Sequence, residues 1–208
     1  MDAIYRVFPN FTDNEHAILA DVGSGLCRPQ LQAALCNGVI TSYGIEICPN
    51  KCAKALAFVD VVSKKLGCAF EGLHIICMHA NQLKSLCPAT HVFVAWEGWN
   101  PADKEDAARV ISKSTSVQYV CLVQRWGTHT DPNTLGEMGF TAQMSIVQQV
   151  KVKLLGGGGT LDATIFRVVR HAPGGSVSAC DSLSHQPQFA PLARQPREHK
   201  APDRYGFP

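Results

Sequence analysis

Net charge is what this chain of 208 residues has least of: 19 Lys and Arg against 17 Asp and Glu leave a formal +2. So even a balance does not by itself require a nucleic acid or a membrane surface as partner. Long apolar runs are missing too. No stretch approaches the roughly 20 residues that span a bilayer, so no membrane partner is expected. The opening residues Met1-Asp2-Ala3-Ile4-Tyr5-Arg6 lack the basic-then-apolar pattern of a secretory signal, and the expectation is an intracellular protein. There is no Gly-Lys-Ser/Thr, which excludes a P-loop, and no internal repeat. The nine cysteines are scattered and odd in number. Cys48 and Cys52 stand four apart, but no second pair completes a zinc site, so no metal is expected. Cys77 and Cys121 fall inside apolar runs and read as small buried hydrophobes.

What is present is a regular alternation of apolar runs and helical patterns. The hydrophobic fraction, 46%, suits a globular core. Strands are expected at residues 16–22, 40–47, 73–78, 91–96 and 117–123. Between them lie a short helix at 29–36, with Leu31, Ala34 and Leu35 inward, and a helix opened by Pro49 and closed by Gly67. Cys52, Ala55, Leu56, Val59 and Leu66 mark the buried side of the latter, while Lys51, Lys54, Lys64 and Lys65 face solvent. A single helical turn is expected at 83–86. Asn100-Pro101-Ala102-Asp103 starts a further helix, with Asn as cap and Ala107, Ala108, Val110 and Ile111 buried. Continuously apolar strands separated by helices predict an α/β fold, a doubly wound and mostly parallel sheet covered on both faces. Residues 141–155 and 160–169 are long, strand-like and joined by four glycines, the pattern of a C-terminal antiparallel hairpin. From residue 172 periodicity ends and half of the twelve prolines are found, so 172–208 reads as a disordered tail after a domain at 10–171.

The chemistry gathers at Ile18-Leu19-Ala20-Asp21-Val22-Gly23-Ser24-Gly25. A buried strand ends in an acid and two glycines, which let the main chain turn sharply and approach a ligand. The next strand ends in Tyr43-Gly44-Ile45-Glu46, again with an acid. A glycine turn after one strand and an acid after the next is a nucleoside-binding pattern. A dinucleotide fingerprint wants a small residue at the sixth position of the turn, where this chain has Arg28.

The segment from Asp21 to Gly25, the five strand–helix units and the terminal hairpin resemble the class I S-adenosylmethionine-dependent methyltransferases. The resemblance implies a Rossmann-like seven-stranded sheet and S-adenosyl-L-methionine as cofactor. It implies that Gly23, Ser24 and Gly25 wrap the aminoacyl part, with Asp21 orienting the turn. Glu46 would accept from the ribose hydroxyls, and Asn81, just after strand three, would contact the adenine.

Strand four runs into Phe93-Val94-Ala95-Trp96-Glu97-Gly98-Trp99-Asn100-Pro101, at the end of the sheet where ligands bind in such folds. Trp96 and Trp99 are candidates for an apolar channel that packs against a cation, each with a plainly structural alternative, and Glu97 is a candidate to take a proton or hold an incoming cation. Trp126-Gly127-Thr128-His129 can form a lid or a plain loop. The Tyr43–Glu46 segment is followed by a helix carrying Lys51, Ala53 and Ala55. Val92-Phe93-Val94 precedes an aromatic and an Asn-Pro, and residues 112–117 lead into strand five. Over residues 16–125 these resemble the disruptor-of-telomeric-silencing histone lysine methyltransferases. That resemblance implies protein lysine N-methylation, a histone or nucleosome partner, and the nucleus ahead of the cytoplasm. Methylation of RNA or of a small molecule, and a catalytically silent cofactor- or partner-binding domain, stand as alternatives. Ala95-Trp96 replaces the polar Asn residues that the histone enzymes carry after strand four, which favours the silent domain.

Overall fold

Each apolar run forms a strand. The computed structural model describes residues 2–12, 16–39, 41–125, 132–153 and 159–170. In chain order the elements are α1 (Asp2–Tyr5), β1 (Ile18–Val22), α2 (Arg28–Asn37), β2 (Thr41–Glu46), α3 (Pro49–Leu66), β3 (Leu73–Cys77) and a 3-10 turn (Ala80–Gln82). They continue with β4 (His91–Ala95), α4 (Pro101–Lys113), β5 (Tyr119–Arg125), α5 (Pro132–Glu137), β6 (Gln143–Lys153) and β7 (Thr160–Val169). The strands make one sheet in the order β3-β2-β1-β4-β5-β7-β6. The first five are parallel, and β7 inserts antiparallel between β5 and β6. This is the expected mostly parallel seven-stranded sheet with an antiparallel C-terminal hairpin. Of that hairpin's glycine linker, Gly156, Gly157 and Gly158 lie outside the described residues, as do Trp126–His129 and the tail at 172–208.

Two apolar layers sandwich the sheet. On one face Ala20, Val22, Val92, Val94, Val120 and Leu122 pack with Ala107, Ala108, Val110 and Ile111 of α4, as their spacing predicts. On the other, Leu19, Phe93, Cys121 and Ile165 meet Ile4, Tyr5, Phe8 and Phe11. The packed structure therefore begins upstream of residue 10. The N-terminal residues have the helical spacing 4, 5, 8, 11, which is the signal that would have revealed them. His91 clamps them: its Nε2 is 2.8 Å from the Pro9 carbonyl, and Phe8, Phe11 and Tyr119 crowd its ring. Burial lowers the His91 pKa and so favours the neutral ring.

Three local expectations are corrected. Leu35, Leu56 and Leu66 are exposed, because α2 and α3 cover the thin β2–β3 side of the sheet with Leu31, Ala33, Cys52 and Ala55. Cys77 is exposed because β3 is an edge strand, whereas Cys121 in the centre is fully buried. The helical turn comes at Ala80–Gln82, capped by the His79 side chain, and not at 83–86. No disulfide and no cluster of metal-ligating side chains occurs among the described residues. Gly67 closes α3 with left-handed backbone, and Asn100 caps α4 by accepting from the Asp103 N–H at 2.8 Å.

Candidate functional site

Strand order reverses direction at β1, whose parallel neighbours are β2 and β4. Crossovers leave β1 on opposite sides there, so the loops at the strands' carboxyl ends part and open a crevice. A cleft of about 170 Å³ lies at this end of the sheet. Val22, Gly23, Ile45, Glu46, Met78 and Trp99 line it, along with Ile47, Lys51, His79, Ala80 and Asp103.

The turn after β1 is built from both strands. The N–H groups of Gly23 and Ser24 both donate to the Ile45 carbonyl of β2, at 2.8 and 3.0 Å. Gly23 has φ +79°, and a Cβ placed on it would lie 2.2 Å from Cζ2 of Trp99. The indole therefore rests on the glycine's bare face. Gly25 has φ +56° and open space where a Cβ would stand.

Glu46 closes the turn from the β2 side. Its Oε2 accepts from the Gly25 N–H at 3.0 Å and its Oε1 from the Cys48 N–H at 2.9 Å. Lys51 Nζ is 4.0 Å from Oε2. Each oxygen keeps a free lone pair, so a carboxylate held in this way can still accept from a neighbouring pair of hydroxyls. Asp21 sits beneath the turn, fully buried, and its Oδ2 has no hydrogen-bond partner. Burial, reinforced by the Glu46 charge, pushes its pKa up to about 8, so Asp21 holds a proton at neutral pH.

The far wall comes from the segment after β3. His79 lines the cleft with Nε2 3.1 Å from Asp103 Oδ1, while its Nδ1 accepts from the Asn81 N–H at 3.1 Å. The ring is thus fixed with both nitrogens engaged. Asn81 is exposed and outside the cleft lining; its neighbours Met78, His79 and Ala80 line it in its place. His79 was missed in sequence because the 3-10 turn begins immediately after it and aims this earlier residue at the cleft.

The strand-four candidates separate. Trp96 is fully buried, donates from Nε1 to Gln124 Oε1 at 3.2 Å and meets Phe140 edge-on. It is a core anchor, which corrects its expected place in a substrate channel. Val92, Val94 and Trp96 follow the strand's alternation onto the α4 face. Glu97 is bound to Arg125, accepting from its backbone N–H at 2.9 Å and lying 3.2 Å from its Nε, and is not in the cleft lining. Trp99 alone of the three reaches the cleft.

The site fits the cofactor that the sequence pattern implies. An orphaned acceptor lies under the turn, a carboxylate on the rim, and Ile47, Met78 and Ala80 offer apolar walls for a flat ring.

No family model matches the chain, and no curated protein matches it in sequence. Solved structures match in fold. TrmK of M. capricolum, solved with S-adenosyl-homocysteine, is 11% identical with a TM-score of 0.58, over 84% of this chain and 70% of that one. The m1A22 tRNA methyltransferase TrmK of B. subtilis is 12% identical with a TM-score of 0.56, over 81% of this chain and 64% of that one. An RNA methyltransferase from Salinibacter ruber, solved with S-adenosyl-L-homocysteine, is 18% identical with a TM-score of 0.51, over 83% of this chain and 90% of that one. The chain shares the methyltransferase fold of these proteins.

Proposed function

We propose that this chain is an S-adenosylmethionine-dependent methyltransferase and that its substrate is RNA. The observation that carries the cofactor is Glu46, pinned by the Gly25 and Cys48 N–H groups at the mouth of the β1–β2 crevice with lone pairs to spare. When bound, the cofactor supplies an electrophilic methyl group on a sulfonium. The work left to the protein is alignment, since in-line displacement is accelerated chiefly by holding the reacting atoms in register. Glu46 would hold the ribose hydroxyls. Asp21, protonated and buried beneath the turn, supports the turn from below and does not line the cleft. Trp99, resting on Gly23, walls the aminoacyl side and keeps water from it.

RNA is favoured because, by their names, the B. subtilis neighbour is a tRNA methyltransferase and the Salinibacter ruber neighbour an RNA methyltransferase solved with S-adenosyl-L-homocysteine. Protein lysine methylation is the second reading and rests on the Tyr43-Gly44-Ile45-Glu46 resemblance. It needs an aromatic channel, and with Trp96 in the core and Glu97 paired to Arg125, Trp99 is left as the channel's aromatic among the described residues.

Calorimetric titration with S-adenosylmethionine tests the cofactor. The native chain should bind, and Glu46→Ala should weaken binding by roughly tenfold or more, the worth of a hydrogen bond to a charged group. Absence of binding by the native chain sinks the proposal. Radiolabelled methyl transfer to total RNA and to histones then tests the substrate: label on RNA is expected, and label on histones alone would install the lysine reading in its place.

A further inference from the structure

We infer that one face of α3 is a landing track for single-stranded RNA leading into the cleft. The inference rests on the RNA reading above and adds a surface to it.

The face is drawn by spacing. Lys51, Lys54, Phe58, Val61 and Lys65 recur at intervals of three and four, so they form one stripe about 21 Å long at 1.5 Å per residue. All five are exposed, Phe58 at 38% and Val61 at 48%. Lys51 begins the stripe and also lines the cleft, so track and cleft are continuous. No acid of α3 lies on the stripe. The helix's one acid, Asp60, faces away and is paired with Lys64 at 2.6 Å. Lys54 and Lys65 have no ion pair among the described residues.

A solvated helix face explains lysines but not a phenylalanine and a valine standing among them. The occupant must present negative charge and flat apolar surface together. Single-stranded nucleic acid does so, with phosphates for the lysines and base faces for the aromatic ring. A helix that lies on a membrane instead segregates its basic residues from its apolar ones. Here Phe58 and Val61 stand on the same stripe as the lysines, with Lys54 before them and Lys65 after.

The test is fluorescence anisotropy of a short labelled oligouridylate over a salt series, with S-adenosylmethionine titrated in parallel into every variant. Lys54→Gln combined with Lys65→Gln should flatten the log affinity–log salt slope by about 1.4, since each single-strand phosphate contact contributes about 0.7. Phe58→Ala should weaken binding by roughly fivefold or more, the worth of a stacked base. Lys64→Gln, beside the stripe but paired with Asp60, should change the slope by less than either stripe lysine. Cofactor binding should be equal in all of them, which separates loss of the track from loss of the fold. RNA binding that ignores all the stripe substitutions overturns the track and leaves the RNA reading standing. A native chain that binds cofactor but no RNA overturns both the track and the RNA reading. Binding of phosphatidylserine vesicles with the same mutational dependence, in place of RNA, assigns the face to a membrane and overturns the inference.

Discussion

The two sides of the sheet are built to different specifications. From β1 through β4, β5 and β7 the strands are covered on both faces by fully buried aliphatic and aromatic side chains, and Trp96 and His91 lock the layers with hydrogen bonds. On the β2–β3 side the cover thins. Every residue of β3 is half-buried or exposed, and the eighteen-residue α3 buries two residues, Cys52 and Ala55. The candidate site lies between them, with the glycine turn rooted in the dry side and Glu46, Lys51 and His79 supplied by the thin one. The difference teaches a division of labour. The dry side sets stability and fixes where the crevice opens. The thin side gives up burial and displays charge and apolar surface to solvent.

Breaking the dry side should have the largest effect. Trp96→Ala removes a fully buried indole and its hydrogen bond to Gln124, so a loss of about 3–5 kcal/mol in urea unfolding is expected. A loss below about 1 kcal/mol would mean that the two sides are not so different. Next comes the junction. Asp21, with its pKa at about 8 against an ordinary 3.8, holds in the folded state a proton that the unfolded chain releases. Stability should therefore fall as pH rises from near 4 to near 8, by on the order of a few kcal/mol, and Asp21→Asn should abolish the slope. A flat native profile across that window would show the carboxyl ionised in the folded protein. The two glycines of the turn give a smaller, graded pair. Gly25→Ala meets open space and should cost about 1–2 kcal/mol for its left-handed backbone alone. Gly23→Ala should cost more, because its methyl drives into Trp99. Equal thermal shifts for the two would contradict the indole's seat on Gly23.

Most of this architecture is legible in the chain because the dry side obeys simple periodicities. The continuous runs at Val92–Val94 and Val120–Val123 can only be strands buried on both faces, and Ala107, Ala108, Val110 and Ile111 mark one helix face without ambiguity. Asp21, Gly23 and Glu46 are legible because the chemistry needs those residue types at the carboxyl ends of strands. Trp96 misleads because an indole at a strand's end has the same letters whether it turns inward or outward. Its parity with Val92 and Val94 was the usable sign. Leu35, Leu56 and Leu66 mislead for another reason. Helical spacing tells which residues share a face, but not whether the sheet beneath extends far enough to cover them.

The smallest effect sharpens the comparison most. Phe58→Ala and Val61→Ala remove side chains as apolar as many in the core, yet each stands substantially in water in the folded protein. Truncation there opens no enclosed cavity and removes only part-buried area, so stability should change by about 1 kcal/mol, well short of the loss at Trp96. Urea unfolding of both variants beside Trp96→Ala checks this directly. Apolar residues that cost so little to remove from the free protein contribute little to its fold, and their place among the lysines of α3 then belongs to what the helix touches. A loss of 2 kcal/mol or more at either position, the cost of truncating a packed side chain, would show that α3 is covered in solution by something apolar and would return both residues to the core.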